Sequence, residues 1–260
     1  MEKSSDIKIK EEMNLTDFGG DLNKLKQEIP RRLDALPFSK FHLFVIVTLG
    51  ISWILDGFEV SLLSVLSGVL KRMFVMTDSE IGLAGSLYLS GCVMGSLFFG
   101  FLASKWGRKL LFTVTLGVYV ISIIITTVAI NKYMFLAARF FTGISVGGEY
   151  SSIFAAIDEL IPPNIRGRAD LIIDGTWYFG SIIASVFGYV VLNYLDEYGD
   201  ISVRFLFLLG AVLALPVILL RKNIPESPRW LLYRGQYNKI TQQKKFHLLT
   251  LVLKEKFLIK

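Results

Sequence analysis

Six apolar stretches run along the chain, at 42–68, 81–103, 110–130, 134–160, 171–195 and 203–220, with short polar connections between them. Each approaches or exceeds the roughly 20 apolar residues that a helix needs to cross a hydrocarbon core. The pattern predicts an all-α membrane protein with six transmembrane helices. Residues 1–40 read as a polar tail, 41–222 as the six-helix bundle and 223–260 as a second polar tail. In the first tail, Leu22, Leu25, Ile29, Leu33 and Leu36 recur at helical spacing beside Lys24, Lys26, Arg31 and Arg32. That spacing predicts a short amphipathic helix on the membrane surface, broken at Pro30. For residues 1–20 a disordered tail is an equal reading.

Composition and charge narrow the class. The 260 residues are 53% hydrophobic and 19% charged, too apolar for an ordinary soluble domain. A net charge of +6 invites a nucleic-acid partner, but the placement of the charges argues against one. Most Lys and Arg residues fall in the two tails and in the loops at 103–110 and 160–171. The opposite side has Lys71, Arg72, Lys132 and Arg204. By the positive-inside rule both termini are cytoplasmic, and the basic excess records topology. Cys92 is the single cysteine, so no intramolecular disulfide is expected. Residues 1–40 have no apolar core of a cleavable signal peptide.

Charges also sit inside the apolar stretches. Asp56 and Glu59 lie three residues apart, on one face of the first helix. A carboxylate at that depth costs on the order of 2.5–3.5 kcal/mol, so the face should look into protein or a water-filled cavity. Arg139 and Glu149 lie in the fourth stretch. Segments 1–3 and 4–6 therefore each open with a charged helix, as in transporters built from two three-helix inverted repeats. In the fifth stretch Asp174, Trp177 and Tyr178 suit a substrate cavity wall, although aromatic residues also collect at membrane interfaces. Gly143 and Gly147 read as helix packing and not as nucleotide binding, since no strand precedes them. His42 and His247 lie far apart, and no metal-ligand spacing or phosphate loop appears. Neither an enzyme nor a metal site is expected.

Three motifs on the basic side carry a family resemblance: GFLASKWGRK at 100–109, ELIPPNIRGR at 159–168 and PESPRWL at 225–231. Together they resemble the major facilitator superfamily, in its sugar and metabolite transporter branch, over roughly residues 30–235. The resemblance implies the N-terminal six-helix half of that fold. It implies a cytoplasmic gate of ion pairs that includes Gly100, Gly107, Arg108, Lys109, Glu159, Arg166, Gly167, Glu226 and Arg229. The alternative is that these residues are topology anchors only. Ser104 stands where the family usually has Asp, which removes one charge from the gate. Proton-coupled relatives carry an acid after Gly-aromatic in the first helix and an Arg near the start of the fourth. Here these are Glu59, after Gly57 and Phe58, and Arg139. The resemblance thus implies Glu59–Arg139 as a proton-coupling pair, with Asp56 and Glu149 as further proton or substrate groups. Buried pairs that only fix helix packing are the other reading.

Hexose carriers of the family place glutamines where this chain has Asp174 and Ser181. The Asp56-to-Glu59 run and Gly147-Gly148-Glu149-Tyr150 look more like metabolite:proton symporters that carry organic or aromatic acids. The implied activity is proton-coupled movement of a small metabolite across the plasma membrane by alternating access, powered by the proton gradient with no other cofactor. Beyond the lipid bilayer and that metabolite, the expected partner is a second six-helix half or a second copy. Gln236 to Lys260 holds one apolar patch, Phe246 to Leu253, too short to span. Three readings of the half-length chain stay open: a truncated product, a half that pairs, or a non-transporting membrane scaffold.

Overall fold

The computed structural model describes residues 30–31, 34–35, 37–194, 200–221, 224 and 226–235. The tail helix expected between Leu22 and Leu36 lies largely outside them, and the patch at 246–253 entirely so. Eight helices are described: α1 (Lys40–Val65), α2 (Ser67–Phe74), α3 (Asp78–Trp106), α4 (Arg108–Thr127), α5 (Lys132–Leu160), α6 (Pro163–Tyr194), α7 (Asp200–Arg221) and α8 (Pro228–Tyr233). All six expected spans are present as α1 and α3 to α7. Five are long and apolar enough to cross a membrane. The exception, α5, matches α3 at 29 residues and is the helix that carries Arg139 and Glu149.

Two boundaries differ from the sequence reading. The first span ends at Val65, not 68, because Leu66 leaves the helical region and a separate amphipathic α2 follows with only Leu70 buried. The 160–171 loop is mostly helix: Pro163 starts α6, so Arg166 and Arg168 ride on its first turns. Proline suits that first-turn position, where its missing N–H has no helical partner to lose.

Local signals start several helices. Thr77 Oγ1 accepts from Glu80 N at 3.3 Å while Thr77 N donates to Glu80 Oε2 at 2.8 Å, a capping box for α3. Asn131 Oδ1 accepts from Met134 N at 2.9 Å at the start of α5. Arg204 of α7 donates from Nη2 to Ala129 O at 2.9 Å and also reaches Thr127 O, closing carbonyls at the end of α4. Farther along, α7 contains Pro216.

The most extensive packing is α3 on α5 and α1 on α6. Both seams are glycine-lined. A Cβ at Gly91, Gly95, Gly143 or Gly147 would fall within 2.3 Å of a carbonyl oxygen of the facing helix, and the same holds at Gly57 and Gly180 on the α1–α6 seam. Such contact lets backbones touch where no hydrophobic drive separates helix from lipid. In each seam the second helix of one triplet packs on the first helix of the other, the arrangement expected of two repeats. Phe41, Leu160 and Ile161 cluster at one end and Leu66, Ala129 and Phe135 at the other, so α1 and α5 run in opposite directions. The repeats are therefore inverted. The first end also holds Arg108, Arg166 and Arg229, and is called the basic end below.

Candidate functional site

Asp56, Glu59, Arg139, Glu149 and Arg221 are all buried in the interior of the bundle. Arg139 Nη1 of α5 pairs with Glu59 Oε1 of α1. The Arg139 guanidinium also lies 4.9 Å from the centroid of the Tyr88 ring, a cation–π contact from α3. The expected pair thus forms, and both acids of α1 face protein.

Glu149 is not an open group on a cavity wall. Arg221 Nη2 of α7 pairs with its Oε1, and Arg221 Nε donates to Ser52 Oγ of α1 at 2.9 Å. The Arg221 guanidinium sits 5.0 Å from the Phe112 ring centroid. Arg221 follows directly on the apolar stretch ending at 220, so it reads from sequence as the first residue of a basic tail. The helix continues one residue further and carries it inside. Asp56 oxygens have no hydrogen-bond partner among the described residues.

At the basic end the expected single network resolves into two groups. In the first, Arg108 Nη2 meets Glu159 Oε1 at 2.8 Å, and Glu226 sits at the start of α4. Its Oε1 accepts from Arg108 N at 2.8 Å and its Oε2 from Lys109 N at 3.3 Å. A carboxylate there satisfies N–H groups that α4 cannot bond itself and meets the positive end of its dipole. Lys109 contributes its backbone; its side chain is exposed. Gly107 has φ +90°, and a Cβ there would stand 2.6 Å from Glu226 Oε2. Trp230 Nε1 of α8 donates to Ser104 O at 3.0 Å, so the residue that lacks the usual Asp serves through its carbonyl.

The second group centres on Asp34. Its Oδ1 accepts from Arg229 Nη2 at 2.5 Å and lies 3.8 Å from Arg166 Nη2. Arg166 Nη1 is also 3.7 Å from Asp158 Oδ1. Arg166 and Arg229 therefore belong with Asp34 and not with Arg108. No periodicity or motif marks Asp34; only tertiary folding brings it to two arginines more than a hundred residues away. Gly100 makes ordinary contact with Ser151, and Gly167 is exposed with nothing within 4 Å of an added Cβ.

On α6, Asp174, Trp177, Tyr178 and Ser181 fall at i, i+3, i+4 and i+7, one flank of the helix. Trp177 is half-buried and, like Tyr150, packs against the core cluster that contains Trp53; the Tyr150 ring meets Trp53 at 4.5 Å. Tyr178 is 67% exposed, 5.4 Å edge-on from Trp177. Ser181 Oγ accepts from Ser61 Oγ at 2.8 Å, which commits it to the α1 seam. The opposite flank, with Ile183 and Phe187, lines an apolar cavity of about 330 Å³ against α1 and α7.

The family model described as "Sugar (and other) transporter" matches residues 42–247. The chain belongs to that family. Within the major facilitator superfamily it is 28% identical over 212 residues to the niacin transporter NiaP of Acinetobacter baylyi, covering 82% of this chain and 47% of that protein. It is 26% identical to the sialic acid transporter NanX of Escherichia coli, across 76% of this chain and 48% of the relative. Among solved structures, the proton:xylose symporter XylE bound to 6-bromo-6-deoxy-D-glucose superposes with a TM-score of 0.71 at 21% identity. That match covers 81% of this chain and 49% of the other. The fold is half of a major facilitator fold, and the chain spans about half the length of the relatives it matches. These relatives are transporters and not enzymes.

Proposed function

We propose that this chain is the N-terminal bundle of a proton-coupled carrier for a small metabolite, with organic or aromatic acids as the favoured cargo. The observation that carries the reading is the buried Glu59–Arg139 pair between the first helices of the two repeats. A carboxylate that holds Arg139 when ionised and releases it when protonated ties proton uptake to movement between α1 and α5. Two relatives bear the names of carboxylates, niacin and sialic acid, which supports an acid as cargo. Trp177 offers a flat apolar ring beside the acidic Asp174, and Tyr178 an exposed hydroxyl, so these three would line the cargo path.

At the basic end, the Arg108–Glu159 pair and the Glu226 cap of α4 would make and break together as the bundle rocks, giving a two-state element. Both termini would lie in the cytoplasm and the bundle in the plasma membrane, as the basic loops favour. A second six-helix half, or a second copy of this chain, would complete the cavity.

The test is uptake by proteoliposomes holding the full chain under an imposed inward proton gradient, with labelled niacin, other small organic acids and a hexose. Gradient-driven accumulation of an acid that falls at least about tenfold in Glu59→Gln supports the reading, since a single essential proton group is being removed. Flux that survives both Glu59→Gln and Asp56→Asn overturns the coupling. Absence of flux with every compound, both from the chain alone and when it is reconstituted with a second six-helix half, favours the non-transporting scaffold.

A further inference from the structure

The buried layer contains three acids, Asp56, Glu59 and Glu149, and two cations, Arg139 and Arg221, all nearly inaccessible. If every group were ionised, the layer would carry one uncompensated negative charge. A buried charge without a partner takes up or sheds a proton to neutralise itself. Two of the acids are already engaged, Glu59 by Arg139 and Glu149 by Arg221. Asp56 is the acid left over, and neither of its oxygens accepts a hydrogen bond among the described residues.

Arg221 lies within reach of it. Its Nε holds Ser52, and Ser52 and Asp56 are one turn apart on the same face of α1. Arg221 Nη1 has no hydrogen-bond partner among the described residues. The other titratable groups in the surroundings of Asp56 are Glu59 on α1, Tyr88 and Cys92 on α3, Tyr119 on α4 and Tyr150 on α5. Arg139 and Glu149 of α5 complete the layer. From α6, the residues against α1 include Thr176, Trp177, Gly180, Ser181 and Gly188, none of them a titratable acid or base.

Resting on the carrier reading above, we propose that Asp56 carries the resident proton of this layer and that Arg221 is the counter-ion it shares with Glu149. With the proton in place the layer is neutral and Arg221 serves Glu149. When the proton leaves for water, Arg221 faces two carboxylates and its second guanidinium edge turns to Asp56. Proton loss would then pull on α7 as well as α1, a connection that the Glu59–Arg139 pair does not make. Arg221 acts here through the carboxyls and is a positioning residue.

Infrared spectroscopy of the purified full chain in lipid at neutral pH tests this through the C=O stretch of protonated carboxyl groups. The expected result is a band that resists deuterium exchange, shifts when aspartate carboxyls are labelled with carbon-13, and does not shift with labelled glutamate. It disappears in Asp56→Asn. In Arg221→Gln a second carboxyl must be protonated, so the band grows about twofold, and the added half follows the glutamate label. Arg221→Gln/Glu149→Gln restores the original size. A band that follows glutamate in the unaltered chain, or no such band, overturns the proposal, as does an unchanged band in a folded Arg221→Gln. If that variant does not fold, labelling of the unaltered chain decides alone. A correct band without proton-driven flux removes the carrier reading and keeps the proton site. Flux without the band does the reverse.

Discussion

At Gly107 the backbone turns between α3 and α4 with a positive φ, and the Glu226 carboxylate fills the space where a side chain would be. Both facts oppose any other residue. Gly107→Ala should therefore cost about 1–3 kcal/mol and weaken the seat of α8, because the left-handed strain and the clash act together. A lowered thermal midpoint in detergent, with faster proteolytic cleavage after α7, would register it; an unchanged midpoint would refute it. Residue-scale legibility was uneven for a physical reason. Glu59 and Arg139 were readable because a charge in hydrocarbon is expensive wherever it sits, so each advertises itself. Arg221 was hidden because it borders the apolar stretch, where arginine is ordinary. Asp34 was hidden because its partners come from distant segments. Gly107 was readable only through the motif that contains it, since nothing local announces a positive φ.

At the scale of elements, the helices followed from hydrophobic run length, and their order held from α1 to α7. Their ends were less legible, since the amphipathic α2 and the first turns of α6 lie where hydropathy falls away. Gly143 and Gly147 pointed to close helix packing, but not to which helices meet. The structure assigns it to α3 and α5. Gly147→Ala would place a methyl 1.9 Å from Cys92 O, a backbone atom that cannot turn aside. It should cost about 1–3 kcal/mol by overpacking. Gly117→Ala, with nothing within 4 Å, should be neutral or stabilising by up to about 1 kcal/mol through helix propensity. Thermal unfolding of the two variants side by side checks the contrast, and equal midpoints would remove the seam as the reason for those glycines.

For the whole molecule, the basic end is the side expected to face the cytoplasm. In a Cys92→Ser background, Ser104→Cys should react with a membrane-impermeant maleimide only after cells are opened, and Asn131→Cys should react in intact cells. The opposite pattern would invert the topology. The overall plan of inverted triplets was visible in the sequence only as charge placement. It emerges in space through two glycine seams, α3 on α5 and α1 on α6, that are built from different residues. One helix stands apart mechanically. Arg204 fastens one end of α7 to α4, and Arg221 fastens the other to α1 and α5. Between these two pins lies Pro216, where the helix lacks a backbone bond. A rod pinned at both ends cannot swing; load applied to it is taken up as bending at its softest point. Strain from the buried layer would therefore be absorbed as flexure of α7 about Pro216, with its two anchorages staying put.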